Sequence, residues 1–172
     1  MRLLFAIDMQ DYADCTCTFR RDSARGIILR DGRVAMVHSL RDGYYKFPGG
    51  GIEKDESPVE AMIRETREEA GLIVRPDTVQ AYGLVHRIQR GSQDPNECFI
   101  QDNFYYICEA EDEILPPLME DYEAEAGFTL EFVDARHAIR VNRESSLGSR
   151  YHTMLRREAR VLEMLIEEGV IA

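Results

Sequence analysis

The chain has 172 residues, of which 44% are hydrophobic and 31% are charged, a composition typical of a soluble globular protein. Its formal net charge of −11 disfavours general binding of DNA or RNA, because such a surface repels a polyphosphate backbone. The apolar stretches are too short to span a bilayer, and the N-terminus lacks the features of a secretory signal. We therefore expect a single domain over residues 1–172, in the cytoplasm and not in a membrane.

The four cysteines follow no common metal or disulfide pattern. Cys15 and Cys17 would share one face of a strand, but this spacing without a neighbouring histidine is unlike the usual zinc sites. A disulfide framework is not expected in a cytoplasmic chain of this length. We expect buried or half-buried thiols at these two positions and at Cys98 and Cys108.

The first predicted elements are strands joined by tight turns. Residues 25–40 resemble a hairpin whose turn is Asp31-Gly32, a pair that supplies the positive φ angles of a two-residue turn. A second turn at Asp42-Gly43 leads into the aromatic segment Tyr44–Phe47. Three glycines, Gly49–Gly51, follow a proline; we expect them outside any strand interior, where they allow close backbone approach to a ligand.

A helix is predicted directly after this glycine segment. Ser57 is a suitable N-cap, Pro58 fits the first helical position, and Glu60 completes a capping box. Gly71 is a typical C-terminal stop. The inward face has helical spacing and comprises Val59, Met62, Ile63, Thr66 and Ala70.

The remainder of the chain alternates strands with helices. Strands are expected near residues 73–74, 79–88, 98–108 and 128–133, with an acidic loop over residues 109–125. Helices are expected from Asp134 to Val141 and from Ser149 or Arg150 to about Glu168. This order predicts an α/β fold, a mixed α/β sandwich.

The outward faces of the first helix carry a cluster of carboxylates. Glu65 precedes Glu68 and Glu69 by three and four residues, so the three are neighbours on the helix surface and repel one another. A solvated acidic face would show the same pattern. The adjacent Arg64 and the glycine segment favour a metal site, and oxygen ligands of this kind suit Mg²⁺ or Mn²⁺.

Residues 50–72 resemble the Nudix box: Gly, five spacers, Glu, seven spacers, then Arg-Glu-apolar-x-Glu-Glu-x-Gly-apolar. Eight of the nine defined positions match; Thr66 stands where an aliphatic residue is usual, and its methyl group can still pack inward. The lead-in Phe47-Pro48-Gly49-Gly50 is also similar. The resemblance implies a Nudix-type α/β/α sandwich with a mixed β-sheet.

The resemblance also implies an activity: Mg²⁺-dependent hydrolysis of a phosphoanhydride bond in a nucleoside diphosphate linked to another group. The implied catalytic residues are Arg64, Glu65, Glu68 and Glu69. The implied metal ligands are Glu65, Glu68 and Glu69, together with the Gly50 carbonyl. Glu56 would anchor the loop, or else would be an exposed loop residue.

Some members of this family take their general base from a loop far from the box. The acidic loop here offers Glu120, Glu123 and Glu125. We expect Glu123 or Glu125 to act as a further ligand or base, although a loop of this composition is more often simply solvated.

Residues outside the box would select the substrate. Tyr45 and Phe47 are candidates for stacking on a base, although aromatics at alternating strand positions usually belong to the core. Arg87 is a candidate for binding phosphate, with a surface salt bridge as the alternative, while His38 and His86 are expected to be scaffold residues. We expect a nucleoside triphosphate or a modified nucleotide as the small-molecule substrate.

Three alternative functions agree less well with the sequence. A catalytically inactive ligand-sensing Nudix domain would show an eroded box, and an isopentenyl diphosphate isomerase departs from the box that is intact here. RNA decapping is disfavoured by the net charge of −11. A homodimer is possible through the residues before Phe19 or through the last helix.

Overall fold

The computed structural model describes residues 1–118 and 125–172, apart from the side chains of residues 149 and 150. The helices are α1 (Pro58–Ala70), α2 (Ala135–Glu144) and α3 (Ser149–Glu167), with a 3₁₀ turn at Pro76–Thr78. The strands are β1 (Leu3–Asp8), β2 (Cys17–Arg20), β3 (Ser23–Ile27), β4 (Leu29–Arg30), β5 (Arg33–Ser39), β6 (Tyr44–Lys46), β7 (Gly49–Gly51), β8 (Leu72–Val74), β9 (Gln80–Arg90), β10 (Glu97–Ile107), β11 (Ala110–Ile114) and β12 (Phe128–Val133). None of these helices is long and apolar enough to cross a membrane.

The strands form a six-stranded mixed sheet and two smaller sheets. In the large sheet the order is β1-β9-β10-β3-β7, with β2 also paired to β10. Strands β9 and β10 are antiparallel, as are β3 and β7, whereas β1 runs parallel to β9 and both β2 and β3 run parallel to β10. Strands β12, β5 and β4, with β6 beside β5, make a four-stranded sheet, and β11 pairs with β8.

Helices cover both faces of the large sheet. Met62 of α1 belongs to the same buried cluster as Ala24 and Tyr106. Leu162 of α3 belongs to a second cluster with Tyr105. Since consecutive residues of a strand point to opposite faces, Tyr105 and Tyr106 place the two helices on opposite sides of the sheet. The predicted α/β/α sandwich with a mixed sheet is therefore confirmed.

The predicted turn and caps have the geometry that their residues favour. Asp31 and Gly32 have φ angles of +50° and +71°, which confirms the tight turn between β4 and β5. At the start of α1, the Glu60 amide donates to the Ser57 hydroxyl, and the Ser57 amide donates to the Glu60 carboxylate. Gly71 adopts a left-handed conformation at the helix end.

Three local expectations are wrong. Gly49–Gly51 form a short edge strand on β3, where Gly49 at φ +134° packs so closely on Ala24 that a Cβ would lie 2.2 Å from its carbonyl oxygen. Residues 110–114 form β11 rather than a loop, because β8 offers them a partner. Cys17 is exposed on β2, while Cys15 is half-buried and Cys98 and Cys108 are buried, all as free thiols.

Candidate active site

Arg64 ties the loop that follows the glycine strand to helix α1. Its Nε and Nη2 atoms donate to the Glu56 carboxylate at 2.8 and 2.9 Å, and Nη2 also donates to the Gly51 carbonyl at 3.1 Å. Glu56 in turn accepts from the backbone amide of Glu53 at 3.0 Å. The hydrogen bonds from Arg64 lower the pKa of Glu56 below its ordinary value. These contacts are the ones that a loop anchor at Glu56 requires.

The same guanidinium holds two of the expected metal ligands. Arg64 Nη1 donates to Glu65 Oε1 at 2.9 Å and to Glu68 Oε2 at 3.1 Å. The Glu65 side chain is 16% exposed and that of Glu68 is 38% exposed, so both carboxylates are reachable from solvent. Burial raises the pKa of Glu65, and Arg64 opposes this effect.

Glu65 lies directly against the backbone of the glycine strand. A Cβ at Gly50 would stand 2.3 Å from Glu65 Oε2, closer than a side chain can approach. Glycine is therefore needed at this position for the carboxylate to lie where it does. Gly50 thus contacts Glu65, and Arg64 joins Glu65 to Glu68, so three of the residues predicted as metal ligands lie together.

Glu69 is placed differently from its neighbours. Its side chain is only 2% exposed, and its carboxylate accepts from Lys46 Nζ and, at 3.1 Å, from the Gly49 amide. The prediction that Glu69 lies on an outward face is wrong, because this position of α1 packs beneath the glycine strand. Lys46 was missed in the sequence, where it stands between two core aromatics and gives no local sign of a charged partner.

The described residues fit Mg²⁺ or Mn²⁺ only with water completing the coordination. Within residues 1–118 and 125–172, no three His, Cys, Asp or Glu side chains are close enough to share one ion. Glu65, Glu68 and the Gly50 backbone supply the hard oxygen atoms that such an ion binds while it keeps several waters. The predicted Glu123, and Glu120 with it, lie outside the described residues, and Glu125 is exposed.

The predicted base-stacking residues belong to the core. Tyr45 is 4% exposed and Phe47 is 0% exposed, so neither ring has a face open to a ligand, and this prediction is corrected. The Tyr45 hydroxyl donates to Glu131 at 2.9 Å, and its ring stacks on His38 at 4.4 Å. The Tyr45 and Phe47 rings are covered by neighbouring strands and by α3, so a base has no ring face to stack on.

Both strand histidines are hydrogen-bonded to carboxylates of adjacent strands. His38 Nδ1 lies 2.7 Å from the Glu131 carboxylate, and His86 Nδ1 lies 2.7 Å from Asp102. Each pair joins adjacent strands across the pairings β5–β12 and β9–β10.

An open cleft lies on the sheet face beside the glycine strand. Its walls include the glycine strand, Glu69 and Lys46, together with Arg21 and Arg25 of the neighbouring chain segment. Phe19 and Phe99 line its other side with ring centroids 6.1 Å apart, and Phe19 is 45% exposed. Phe19 and Phe99, rather than the predicted Tyr45 and Phe47, are thus the aromatic residues in the lining of the cleft.

Side chains from the helices α2 and α3 fix the strand that enters the site. The Asn142 amide accepts from Tyr45 N at 2.9 Å and donates to Tyr45 O at 2.8 Å, as a neighbouring strand would. Glu158, fully buried beside Arg157, accepts from Phe47 N at 2.7 Å. Burial acts to raise the pKa of Glu158, but Arg157, Arg25 and the Phe47 amide together outweigh it, so the pKa is lowered. In the sequence, the feature that indicates a buried role for Glu158 is its place within the apolar face of α3.

The family model described as NUDIX domain matches residues 20–147, more than half of the chain. The chain belongs to the Nudix family. Its Nudix box is the segment that carries the glycine strand, the loop anchored by Arg64 and helix α1.

Relatives and solved structures of the Nudix family share different parts of the chain. It is 48% identical over 60 residues to an RNA pyrophosphohydrolase of Xylella fastidiosa, and 47% identical over 60 residues to one of Xanthomonas oryzae pv. oryzae. Each match covers 34% of this chain, but the chain spans only 30% and 28% of those proteins.

The similarity to solved structures shows that the chain shares the Nudix fold, and nothing beyond the fold. A NUDIX hydrolase from Nitrosomonas europaea is 14% identical, with a TM-score of 0.56 over 83% of this chain and 90% of its own. A mutator MutT protein from Bacillus halodurans is 20% identical, with a TM-score of 0.53 over 70% of this chain and 72% of its own.

Proposed function

We propose that this Nudix protein hydrolyses a phosphoanhydride bond in a nucleoside diphosphate linked to another group, in a reaction that requires Mg²⁺. The observation that carries the proposal is the pairing of Glu65 and Glu68 on one guanidinium, with Glu65 pressed against the Gly50 backbone. The open cleft is lined by Gly50, whose backbone Glu65 contacts.

The residues that would hold the cation are Glu65, Glu68 and the Gly50 carbonyl, with Mn²⁺ as a possible substitute. When bound, the cation neutralises phosphate charge and lowers the pKa of a coordinated water. Arg64 keeps the two carboxylates oriented, and Glu69 joins them only if it leaves Lys46.

Arginines reverse the local field for an anionic substrate. Arg21 lies beside the glycine strand, where a Cβ at Gly51 would be 3.1 Å from its guanidinium. Arg25 donates to the Gly49 carbonyl and, at 3.3 Å, to the Phe47 carbonyl. Two cations at one wall of the cleft attract phosphate groups even though the chain has a net charge of −11.

Two substrate classes follow. A nucleoside triphosphate or modified nucleotide agrees with the expectation that the protein does not bind nucleic acid in general. The 5′ end of an RNA is the second candidate, and the identity of 48% over 60 residues to an RNA pyrophosphohydrolase favours it. Such an end brings only its terminal nucleotides to the cleft, so the repulsion of a long backbone does not exclude it.

Mutation of Glu68 tests the activity. A panel of nucleoside triphosphates, nucleoside diphosphate derivatives and 5′-triphosphorylated RNA is assayed with Mg²⁺. Glu68→Gln is expected to abolish turnover of whichever substrate the wild type cleaves, while unfolding at the wild-type temperature, because this side chain is a partly exposed ligand. Glu144→Gln makes the same substitution at an exposed position of α2 and should leave turnover unchanged.

Two outcomes contradict the proposal. Wild-type rates in Glu68→Gln would remove this residue from the site. A wild-type protein that binds nucleotides but cleaves nothing in the panel would instead support the inactive ligand-sensing alternative. Glu69→Gln is a poorer test, since breaking its buried pair with Lys46 is expected to lower stability as well.

We also infer that residues 1–172 form one domain. Strand β1 and helix α3 lie outside the matched residues 20–147, yet β1 pairs with β9 and α3 packs on the same sheet. A homodimer stays a prediction; the exposed Leu3 and Met9 at the β1 edge offer one surface for it.

A further inference from the structure

The catalytic cleft continues across the sheet face towards β1. It shares Ser92 and Gln93 with an adjoining cavity, which is also lined by Arg87 of β9 and His152 of α3. That cavity shares Met9 and Thr153 with a third one, whose lining includes three arginines: Arg143, Arg156 and Arg160. The three cavities therefore adjoin one another from the glycine strand to α3, and together they are called the groove.

Arg87 places an uncompensated cation in this groove. Its Nε donates to Gln89 at 2.9 Å, and its guanidinium lies 5.2 Å from the centroid of the Phe99 ring, which lines the catalytic cleft. Among residues 1–118 and 125–172, no carboxylate lies within ion-pair distance of it. Burial, with a smaller effect of Arg157, lowers the pKa of Arg87 to about 10. A half-buried cation without a counter-charge is costly, and an anionic ligand would remove that cost.

A buried hydroxyl lies at the same place. Thr153 is 5% exposed, it lines both of the further cavities, and its Oγ1 has no hydrogen-bond partner within the described part of the chain. Buried hydroxyls are nearly always hydrogen-bonded, so an orphan of this kind points to a missing acceptor.

The charges around the groove leave two arginines for a ligand. Arg143 and Arg160 pair with carboxylates of α3, and Arg90 pairs with Asp14. Arg156, like Arg87, has no carboxylate partner in the described ranges. Each of the two further cavities also has one carboxylate in its lining: Asp11 accepts from the Arg90 amide at 2.7 Å, and Asp8 accepts from the Gln10 amide at 2.9 Å.

We propose that Arg87, Arg156 and Thr153 bind a phosphate group of the substrate that lies beyond the diphosphate to be cleaved. The inference rests on the proposed function, because the catalytic cleft holds the other end of the same molecule. The substrate would then be a 5′-polyphosphorylated nucleotide that is extended by a phosphodiester, that is, the 5′ end of an oligonucleotide. Phe19 and Phe99 line the cleft, and Phe99 lies beside Arg87, so the first bases of such a substrate would stack there.

Equilibrium binding tests the subsite without turnover. Calorimetric titrations in EDTA compare the dinucleotide pApG, which has the extra phosphodiester, with AMP, which lacks it, and with inorganic phosphate. The wild-type protein is expected to bind pApG about tenfold more tightly than AMP. Equal affinity for pApG and AMP, including no detectable binding of either, overturns the proposal. Binding of inorganic phosphate as tight as that of pApG identifies a free-phosphate site and also overturns it.

Three variants test whether the proposed residues bind pApG, and a fourth variant tests whether the loss of one positive charge alone has the same effect. Arg87→Gln, Arg156→Gln and Thr153→Val should each reduce the preference for pApG over AMP, and Arg87→Gln should abolish it. Thr153→Val preserves volume and removes an unbonded hydroxyl, so its melting temperature should not fall, which separates binding from folding. Arg136→Gln removes the same charge from an exposed position of α2 and should keep the preference. An equal loss in Arg136→Gln would assign the effect to net charge and reject the subsite.

A kinetic comparison separates this proposal from the proposed function. With Mg²⁺, the KM for pppApG should be about tenfold below that for ATP. Arg87→Gln should raise the KM for pppApG more than the KM for ATP, whereas Arg136→Gln should leave both KM values and kcat unchanged. Equal KM values with normal turnover reject the subsite and retain the hydrolase. Absence of turnover for every substrate rejects the hydrolase, and the binding preference then decides the subsite by itself.

Discussion

The close contact between Gly50 and Glu65 makes Gly50→Ala a sharp test of how the site is built. Alanine in place of a strand glycine is ordinarily tolerated, because it lowers the entropy of the unfolded chain. Here the new Cβ would meet Glu65 Oε2 at 2.3 Å and Oε1 at 2.6 Å. Side-chain atoms essentially never approach within 3.0 Å in this way, so the carboxylate must retreat by about 0.7 Å.

The retreat should affect activity far more than stability. Glu65 is the flexible end of a helix side chain, so the fold absorbs the shift, and the melting temperature should change by less than about 3 °C. A misplacement approaching about 1 Å in a catalytic group costs on the order of 100-fold, or about 2.7 kcal/mol of transition-state stabilisation. We therefore expect kcat/KM to fall about 100-fold.

The assay is steady-state hydrolysis with Mg²⁺, together with thermal unfolding of the same samples. Gly148→Ala is the matched control, since a Cβ at Gly148 meets nothing within 4 Å and this residue lies outside the site. Wild-type kcat/KM in Gly50→Ala would refute the reasoning, because it would mean that the carboxylate position against the glycine strand is irrelevant. A similar loss in Gly148→Ala would refute it as well.

Two further predictions concern stability. Glu158→Gln leaves the fully buried Arg157 without its counter-charge and should lower the unfolding free energy by about 3–5 kcal/mol in urea titrations. Glu168→Gln breaks the exposed pair with Arg2 and should cost less than about 1 kcal/mol; equal costs would contradict the burial argument. Arg64 lowers the folded-state pKa of Glu56, so this contact stabilises the protein above the unfolded-state pKa and loses its effect as pH falls through the folded-state value. The stability difference between wild type and Glu56→Gln should therefore shrink between about pH 6 and about pH 3, and a constant difference would exclude this linkage.

Local chemistry made part of the site predictable. The capping box at Ser57, the stop at Gly71 and the spacing of Glu56, Arg64 and Glu65 all act within one loop and one helix. Helical geometry then fixes which of these side chains can meet, so a single sequence suffices to predict their contacts.

Contacts between distant segments were not predictable in this way. Lys46 is 23 residues from Glu69, and Glu158 is 111 residues from Phe47, so neither pair leaves a local pattern. The prediction that Tyr45 stacks on a base is wrong for the same reason. Tyr45 is buried by His38 and by helix side chains that are distant in the sequence, so the local pattern does not show its burial. The glycine strand was missed because glycine disfavours strands, whereas here the close packing on β3 requires it.

Crystals soaked in Mn²⁺ and measured at its absorption edge test the central claim most directly. The account predicts an anomalous peak within coordination distance of Glu65, Glu68 and the Gly50 carbonyl, and no such peak in Glu68→Gln. A strong peak elsewhere, with these oxygens bonded only to Arg64 and water, would contradict it.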